Sequence, residues 1–309
     1  MVFLMSDLDL PVRDRTYREP PGPHVAVVRG RDLTHALDHL SARPDCRALG
    51  VIGAPESIPG LSVLGGHRVL VVDADGARMR DFAQACLDVK AEVEWMHAER
   101  PSFERVAEWA LPVGAVILAA GQASRMGSNK LLLDAGGKPL VRHVVEAASE
   151  GGCHFVTVVY ADAAVREAVG DSATTIFNPD AATGMASSLR AGLEAQPEEV
   201  AGALMMLGDQ PLVGARTVEM LVRNWRREGA RPALAAAYGD QRSQWRPPVV
   251  IDRTLWPELK ALDGDAGARQ LFDRQPELLD TVLAAGRPDD VDTPEDYAKI
   301  VRLFPTKPR

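Results

Sequence analysis

The densest chemistry in the chain lies between Ala115 and Lys130. The apolar run Ala115–Ala120 reads as a buried parallel strand. It ends in a loop with Gly121 and Gly127, small residues between them, and two cations, Arg125 and Lys130. Such a loop suits a polyphosphate. Glycine and small residues let backbone N–H groups approach phosphate oxygens, Arg125 offers a forked donor and Lys130 a point charge. The spacing is not that of a Walker loop, and no Gly-x-Gly of a dinucleotide fingerprint is present. The residues read as a different nucleotide-triphosphate loop. The plain alternative, a turn using glycine for geometry alone, leaves Arg125, Gly127 and Lys130 unexplained.

Four further clusters bear on that loop. Asp209, in Leu207-Gly208-Asp209-Gln210-Pro211, follows the apolar run Ala203–Met206. An aspartate at the C-terminal end of a central strand faces the crevice where open α/β sheets bind ligands. Mg²⁺ favours one or two carboxylates plus phosphate oxygens and water, so Asp209 is the candidate metal ligand; a turn or cap beside Pro211 is the alternative. Asn178-Pro179-Asp180 precedes Gly184 and the serines Ser187 and Ser188. Free N–H groups and hydroxyls at a helix start suit a base, ribose or phosphate, or simply cap the helix. Asp290-Val291-Asp292-Thr293-Pro294 contains a cap, Asp292 or Thr293, and a proline suited to a first helical turn. Asp292 could equally be a second carboxylate at the metal, with Asp290 a weaker candidate. Arg246, beside Trp245, could meet an anionic substrate, and Asp265 with Arg269 could cap a helix or meet an acceptor phosphate. His143 reads as structural. No serine-histidine-acid set and no histidine cluster of metal type is present.

The elements that must hold these residues follow from the periodicity. Residues 1–23, with Pro20, Pro21 and Pro23, read as an extended arm. A small α/β unit follows, with strands at 24–28, 48–52, 67–73 and 93–97 and helices at 32–42 and 77–91. A connecting helix at 104–110 precedes Pro112 and Gly114, which set a boundary near 105–113 and divide the chain into 1–110 and 111–309. The second part alternates strands (113–120, 155–160, 175–177, 202–207, 232–238, 248–251, 278–283) with helices (140–149, 164–169, 185–195, 215–227, 255–261, 266–275, 294–303). That alternation predicts an α/β fold with a mostly parallel sheet and helices on both faces.

Composition narrows the partners. The 309 residues are 46% hydrophobic and 25% charged, an ordinary globular balance with length for about two domains. A net charge of -8 argues against sequence-independent binding to nucleic acid or to an anionic membrane. No apolar run is long enough to span a bilayer, and the first residues lack the basic start of a signal peptide. Three scattered cysteines, Cys46, Cys86 and Cys153, form no CxxC pair, so a cytoplasmic protein with reduced thiols is expected.

Taken in order, Leu118-Ala119-Ala120-Gly121 through Arg125, Gly127 and Lys130, Gly184-Met185 with Ser188-Leu189, Gly208-Asp209-Gln210-Pro211, Gly264-Asp265 to Arg269, and Asp290 to Asp296 resemble the molybdenum cofactor nucleotidyltransferases. The likeness covers about 113–303 and is greatest to the cytidylyltransferase branch. It implies a Rossmann-like domain that transfers a cytidylyl group from CTP to the terminal phosphate of molybdopterin, releasing pyrophosphate, with Mg²⁺, for which Mn²⁺ can substitute. It implies that Leu118, Ala119, Ala120, Gly121, Arg125, Lys130, Gly184 and Ser188 bind the nucleotide. Asp209 and Asp292 would hold the metal; Arg246, Asp265 and Arg269 would face the acceptor. Ala120 stands where the guanylyl branch usually has glycine, so the resemblance ties base choice to it. Two departures stand out: Trp245-Arg246 replaces an Arg-Gly pair, and Tyr160-Ala161 replaces a small residue and glycine. Residues 1–110 match nothing in the family and lack a phosphate loop; binding a partner enzyme, shaping the acceptor pocket and forming an oligomer contact are the alternatives for them, and a molybdoenzyme or its chaperone is the partner the resemblance implies. A sugar-phosphate acceptor, GTP as donor, or a cofactor-binding chaperone without turnover are the alternatives.

Overall fold

The computed structural model describes residues 2–4, 24–29, 33–42, 46–52, 61–64, 67–73, 76–97, 111–121, 129–228, 232–239, 245–265 and 267–304. The chain divides into two compact units: Met1–Leu111 with Arg226–Ala230, and Pro112–Trp225 with Arg231–Arg309. The expected helix at 104–110 lies outside the described residues.

The first unit holds one parallel sheet in the order β1 (Val2–Leu4), β2 (His24–Arg29), β3 (Cys46–Ile52), β4 (Arg68–Asp73), β5 (Glu92–His97). The start of the expected arm is therefore a strand: Val2, Phe3 and Leu4 pair with Val25, Ala26 and Val27. Three β-prone residues beside an open sheet edge gain a ladder that the sequence, read locally, does not advertise. Helices α1 (Leu33–Ala42) and α2 (Gly76–Asp88) cover one sheet face. Leu33, Leu37 and Leu40 recur at helical spacing and meet Leu49, Val51, Val69 and Val71, which alternate along their strands, with Phe82 and Cys86 completing the cluster. Burial pushes the Cys86 thiol up to about 12, so it is an inert core group. Phe82 is fully buried; Phe82→Ala should cost about 3–5 kcal/mol of stability, read as a lowered urea midpoint.

The second unit is built on a seven-stranded sheet whose strands, in chain order, are β6 (Val113–Ala119), β9 (Phe155–Tyr160), β10 (Thr174–Phe177), β11 (Gly202–Leu207), β12 (Ala233–Ala237), β13 (Trp245–Asp252) and β14 (Leu279–Leu283). A two-residue hairpin, β7 (Asp134–Ala135) and β8 (Lys138–Pro139), stands apart from it. The spatial order is β10-β9-β6-β11-β13-β12-β14. The first four are mutually parallel, and β13 runs antiparallel to both β11 and β12. Helices are α3 (Leu140–Glu150), α4 (Ala163–Val169), α5 (Met185–Glu194), α6 (Ala215–Glu228), α7 (Trp256–Lys260), α8 (Ala268–Arg274) and α9 (Pro294–Ile300). One face packs Val116, Val159, Met205, Val249 and Ile251 against Leu189 and Leu193 of α5, Leu259 of α7 and Phe272 of α8. On α3, Leu140, Val141, Val144, Val145 and Ala148 form the buried stripe.

The chain runs from β6 outward to β9 and β10, then crosses back to β11 on the other side of β6. The strand order therefore reverses between β6 and β11. Such a reversal opens a crevice at the C-terminal strand ends, where α/β sheets bind ligands. β6 delivers Ala120 and Gly121 to that crevice, and β11 delivers Gly208 and Asp209.

Candidate functional site

Asp209 is fixed from both sides through its backbone neighbours. The Gly208 N–H donates to the Leu118 carbonyl at 3.0 Å, continuing the β6–β11 ladder past β11. The Val291 N–H donates to the Asp209 carbonyl at 3.1 Å. Val291 is wholly buried with Ala135, Leu140 and Ile300, which clamps the 290–292 segment beside Asp209. The cap of α9 is Thr293, in a reciprocal capping box with Asp296. Capping therefore does not use Asp292, whose carboxylate reaches the crevice instead.

Lys130 fills the space between the two aspartates. Its Nζ lies 2.7 Å from Asp209 Oδ2 and 2.7 Å from Asp292 Oδ1. It opens a short 3-10 turn, Lys130–Leu132, capped by Asn129, which accepts from the Leu131 N–H at 3.1 Å. The Asn129 Nδ2 in turn donates to Asp162 Oδ2 at 2.8 Å. Burial pulls the Lys130 ammonium down, but hydrogen bonds to Asp209 and Asp292 and their charges outweigh it, and the net shift is upward. The ammonium is a stand-in cation: these two carboxylates already share one positive charge. Among the described residues no group of three or more His, Cys, Asp or Glu side chains is arranged to hold a metal. Two carboxylates with open positions match Mg²⁺, which completes its shell with phosphate oxygens and water.

Gln210 and Asp162, to which the sequence assigned no role, support this centre. Gln210 is buried, and its Nε2 donates to Asp290 Oδ1 at 2.8 Å. Arg246 Nη1 lies 3.9 Å from Asp290 Oδ2. Burial raises the Asp290 pKa, the Gln210 hydrogen bond lowers it, the Asp209 and Asp292 charges raise it, and Arg246 lowers it; the net direction is up. Asp290 is thus a tether for Gln210 and Arg246. Asp162 caps α4, accepting from the Ala164 N–H at 3.0 Å. The Asn129 and Ala164 hydrogen bonds hold its carboxyl below the usual range. A depressed acid contributes stability above its unfolded pKa and loses it as pH falls through the folded one. Asp162→Ala should therefore lower the melting temperature at neutral pH and narrow the gap to wild type in acid.

A second group of the candidate residues is built around Gly184. It takes φ +121°, and a Cβ there would lie 2.2 Å from the Gly264 carbonyl carbon and 2.6 Å from the Asp265 nitrogen. The Ala186 N–H donates to the Gly264 carbonyl at 3.0 Å. Gly184 and Asp265, expected at the nucleotide and at the acceptor, are therefore neighbours. Gly184→Ala should cost about 1–3 kcal/mol from backbone strain alone, more with the clash, read by urea unfolding. Neither serine caps α5, whose N-cap is Gly184 with no side-chain hydrogen bond. Ser187 Oγ donates to the Asp180 and Gly184 carbonyls, and buried Asn178 donates from Nδ2 to both Ser187 Oγ and Ser188 Oγ at 2.9 Å. Asn178 is the organiser here.

The remaining candidates fall as follows. Leu118 is half-buried, Ala119 and Ala120 are buried, and Gly121 is exposed. Among the described residues, a Cβ at Gly121 would meet nothing within 4 Å. Arg125, with residues 122–128, lies outside the described residues. Asp265 is exposed and does not cap α8, whose N-cap is Gly267. Arg269 is exposed and donates from Nη2 to the Trp245 carbonyl at 2.9 Å. His143 meets the Ala135 carbonyl at 2.8 Å and the Phe304 ring, a structural role.

Residues 115–279 match the MobA-like NTP transferase domain. The chain belongs to this family. As a MobA-like protein it is a nucleotidyltransferase with a Rossmann-like fold. It is 33% identical to the nicotine blue oxidoreductase of Paenarthrobacter nicotinovorans, over 61% of this chain and 96% of that protein. It is 29% identical to the purine catabolism protein PucB of Bacillus subtilis (strain 168), again over 61% and 96%. Rv0371c of Mycobacterium tuberculosis H37Rv, solved in complex with manganese, superposes with a TM-score of 0.53 at 26% identity, covering 62% of this chain and all of that one. The MobA-like match begins at residue 115. No helix among the described residues is long and apolar enough to cross a membrane.

Proposed function

We propose that this MobA-like enzyme transfers a cytidylyl group from CTP to the terminal phosphate of molybdopterin, with Mg²⁺. The observation that carries the reading is the Lys130 ammonium shared between Asp209 and Asp292 at the reversal of strand order. Two carboxylates and a movable cation beside a glycine loop suit a metal-bound triphosphate. The manganese complex of Rv0371c supports a divalent ion in a relative of this fold.

On this reading Asp209 and Asp292 would hold the metal, which would supply charge neutralisation at the phosphates. Lys130 exchanges the carboxylates for phosphate oxygens, and Arg125 with the Leu118–Gly121 backbone cradles the triphosphate. Gly184 and Ser188 line the base and ribose side, and Ala120 bears on the choice of cytosine over guanine. Arg246, Asp265 and Arg269 face the acceptor. A terminal phosphate oxygen of the acceptor attacks the α-phosphorus of CTP. One P–O bond forms, the bond to the bridging oxygen breaks, and pyrophosphate leaves. The attacking phosphate is already ionised, so no strong base is needed. Positioning and preorganised charge supply the acceleration. A molybdoenzyme or its chaperone is the proposed recipient of the product.

The Trp245-Arg246 departure favours one second reading, a sugar 1-phosphate acceptor. Pyrophosphate release measured with CTP, GTP, ATP and UTP, each with molybdopterin and with glucose 1-phosphate, separates the two. Release with CTP and molybdopterin is expected. Release only with another nucleotide overturns the base assignment, and release only with glucose 1-phosphate overturns the acceptor.

A further inference from the structure

The chain enters α5 from the C-terminal end of β10, which is parallel to β9 and through it to β6 and β11. The first turn of α5 therefore lies at the sheet end where β11 delivers Asp209. From this helix Arg190 reaches the loop between α7 and α8. Its Nε donates to the Lys260 carbonyl at 2.8 Å and its Nη2 to the Leu262 carbonyl at 3.0 Å. A third carbonyl of the same loop, that of Gly264, accepts the Ala186 N–H of α5 at 3.0 Å. Alternate carbonyls, at 260, 262 and 264, are thus all tied to one helix. The Lys260 carbonyl is among the last of α7, which have no partner inside their own helix, and the forked guanidinium satisfies it. Leu259 and Leu262 are buried in one cluster with Leu189 and Leu193 of α5, so the loop is packed as well as bonded.

The tie brings the loop up to the start of α5. Gly264 takes φ +67°, and the Asp265 nitrogen would stand 2.6 Å from a Cβ on Gly184. Asp265 is exposed, so its place is set by the backbone that leads to it. We propose that Arg190 is a positioning residue for the transfer: by latching the α7–α8 loop to α5 it fixes Asp265 relative to Gly184. Arg190 itself touches neither substrate. The proposal rests on the nucleotidyl-transfer reading, in which Gly184 serves the nucleotide and Asp265 the acceptor, and it adds the part that keeps the two in register. Carbonyls rather than charge do the holding. The Asp263 carboxylate lies 3.3 Å from Nη2 but is 93% exposed, and such a pair contributes little. The loop is the partner free to shift, since α5 is anchored by buried Ala186, Leu189 and Leu193. Loss of the latch should therefore fall on the acceptor and spare the nucleotide.

The test uses the full chain, with hydrogen exchange of the Ala186 amide followed by NMR beside pyrophosphate-release kinetics. Arg190→Lys keeps the charge and loses the fork that reaches two carbonyls. It should speed exchange of the Ala186 amide about tenfold or more and leave the last turn of α5 as protected as in wild type. It should raise KM for molybdopterin about tenfold or more, since a misplacement of about 1 Å can cost about 10²-fold, and leave KM for CTP unaltered. Asp263→Asn should change neither readout. In an Asp265→Asn background Arg190→Lys should raise KM for molybdopterin little further, because both substitutions act on one contact. Wild-type protection of Ala186 in Arg190→Lys overturns the latch. Lost protection with a wild-type KM for molybdopterin overturns its part in transfer and leaves the cytidylyl reading intact. Equal rises in both KM values, or full additivity with Asp265→Asn, mark a merely structural side chain and also overturn it. Turnover of glucose 1-phosphate and not of molybdopterin by wild type overturns the acceptor named above, and the same KM comparison on glucose 1-phosphate then decides the latch.

Discussion

Asp209→Asn should lower the rate of pyrophosphate release by about 10²–10³-fold, the loss typical of one preorganised electrostatic contact to a transition state. The substitution keeps the shape of the side chain and removes its charge. The backbone contacts that fix position 209 survive, because they run through the Gly208 N–H and the Asp209 carbonyl. The fold should persist, with a melting temperature within a few degrees of wild type by the usual scaling for a change below about 1 kcal/mol. Stopped-time pyrophosphate assays beside a thermal melt separate the two effects. A variant with full activity would remove the carboxylate from the chemistry.

Lys130→Met should have a double effect. Turnover should fall by about 10²-fold or more, since a cation that neutralises phosphate charge is lost. Binding of Mn²⁺ without nucleotide should instead tighten, by about tenfold or more. In the wild-type chain the ammonium sits 2.7 Å from both carboxylates, so an ion entering alone must displace it. Removing it leaves two like charges facing each other. Such a pair at 4 Å repels by about 4 kcal/mol at an effective dielectric of 20, reduced here because Asp292 is half-exposed. A divalent ion relieves that repulsion. Nucleotide should strengthen Mn²⁺ binding in wild type, because the triphosphate offers Lys130 another partner, and the coupling should be smaller in the variant. Titrations of Mn²⁺ followed by electron paramagnetic resonance, with and without CTP, measure both numbers. Equal affinities of the two chains for Mn²⁺ alone would count against the exchange.

The α/β class and most elements of the second unit were legible because long apolar strands alternate with amphipathic helices. Local pattern failed where it was short or contradicted by proline. Two-residue strands such as β7 and β8 carry no periodicity; their signal is the glycine pair Gly136 and Gly137, whose φ of 65° and 88° suit a tight hairpin turn. Pro247 and Pro248 argue for a strand starting late, yet β13 begins at Trp245, with an irregular register opposite Ala235 and Ala236. The final helix is α-helical only to Ile300 and tightens into a 3-10 turn at Val301–Leu303.

The site was legible as residue types and not as partners. Asp209 could be picked from its place after an apolar strand. Its sharing of Lys130 with Asp292 joins residues 162 positions apart, and no local pattern encodes that. The roles of Asn178, Gln210 and Asn129 were not legible because uncharged amides look like loop residues until their hydrogen bonds are seen, and Asp162 because its partner Asn129 stands 33 positions away. Asn178 had a usable signal, since it stands in Asn178-Pro179-Asp180 just before the Gly184 turn. Ser187 and Ser188 read as caps by position, but the positive φ of Gly184 starts the helix without them.

The most direct test of the central claim follows the α-phosphate itself. Full-length protein incubated with CTP labelled in the α-phosphate, molybdopterin and Mg²⁺ should move the label into a pterin–cytosine dinucleotide, one pyrophosphate appearing per label transferred. Asp209→Asn should leave the label in CTP. Label that stays in CTP with the wild-type enzyme, while the same label from GTP or another nucleotide is transferred, would contradict the account.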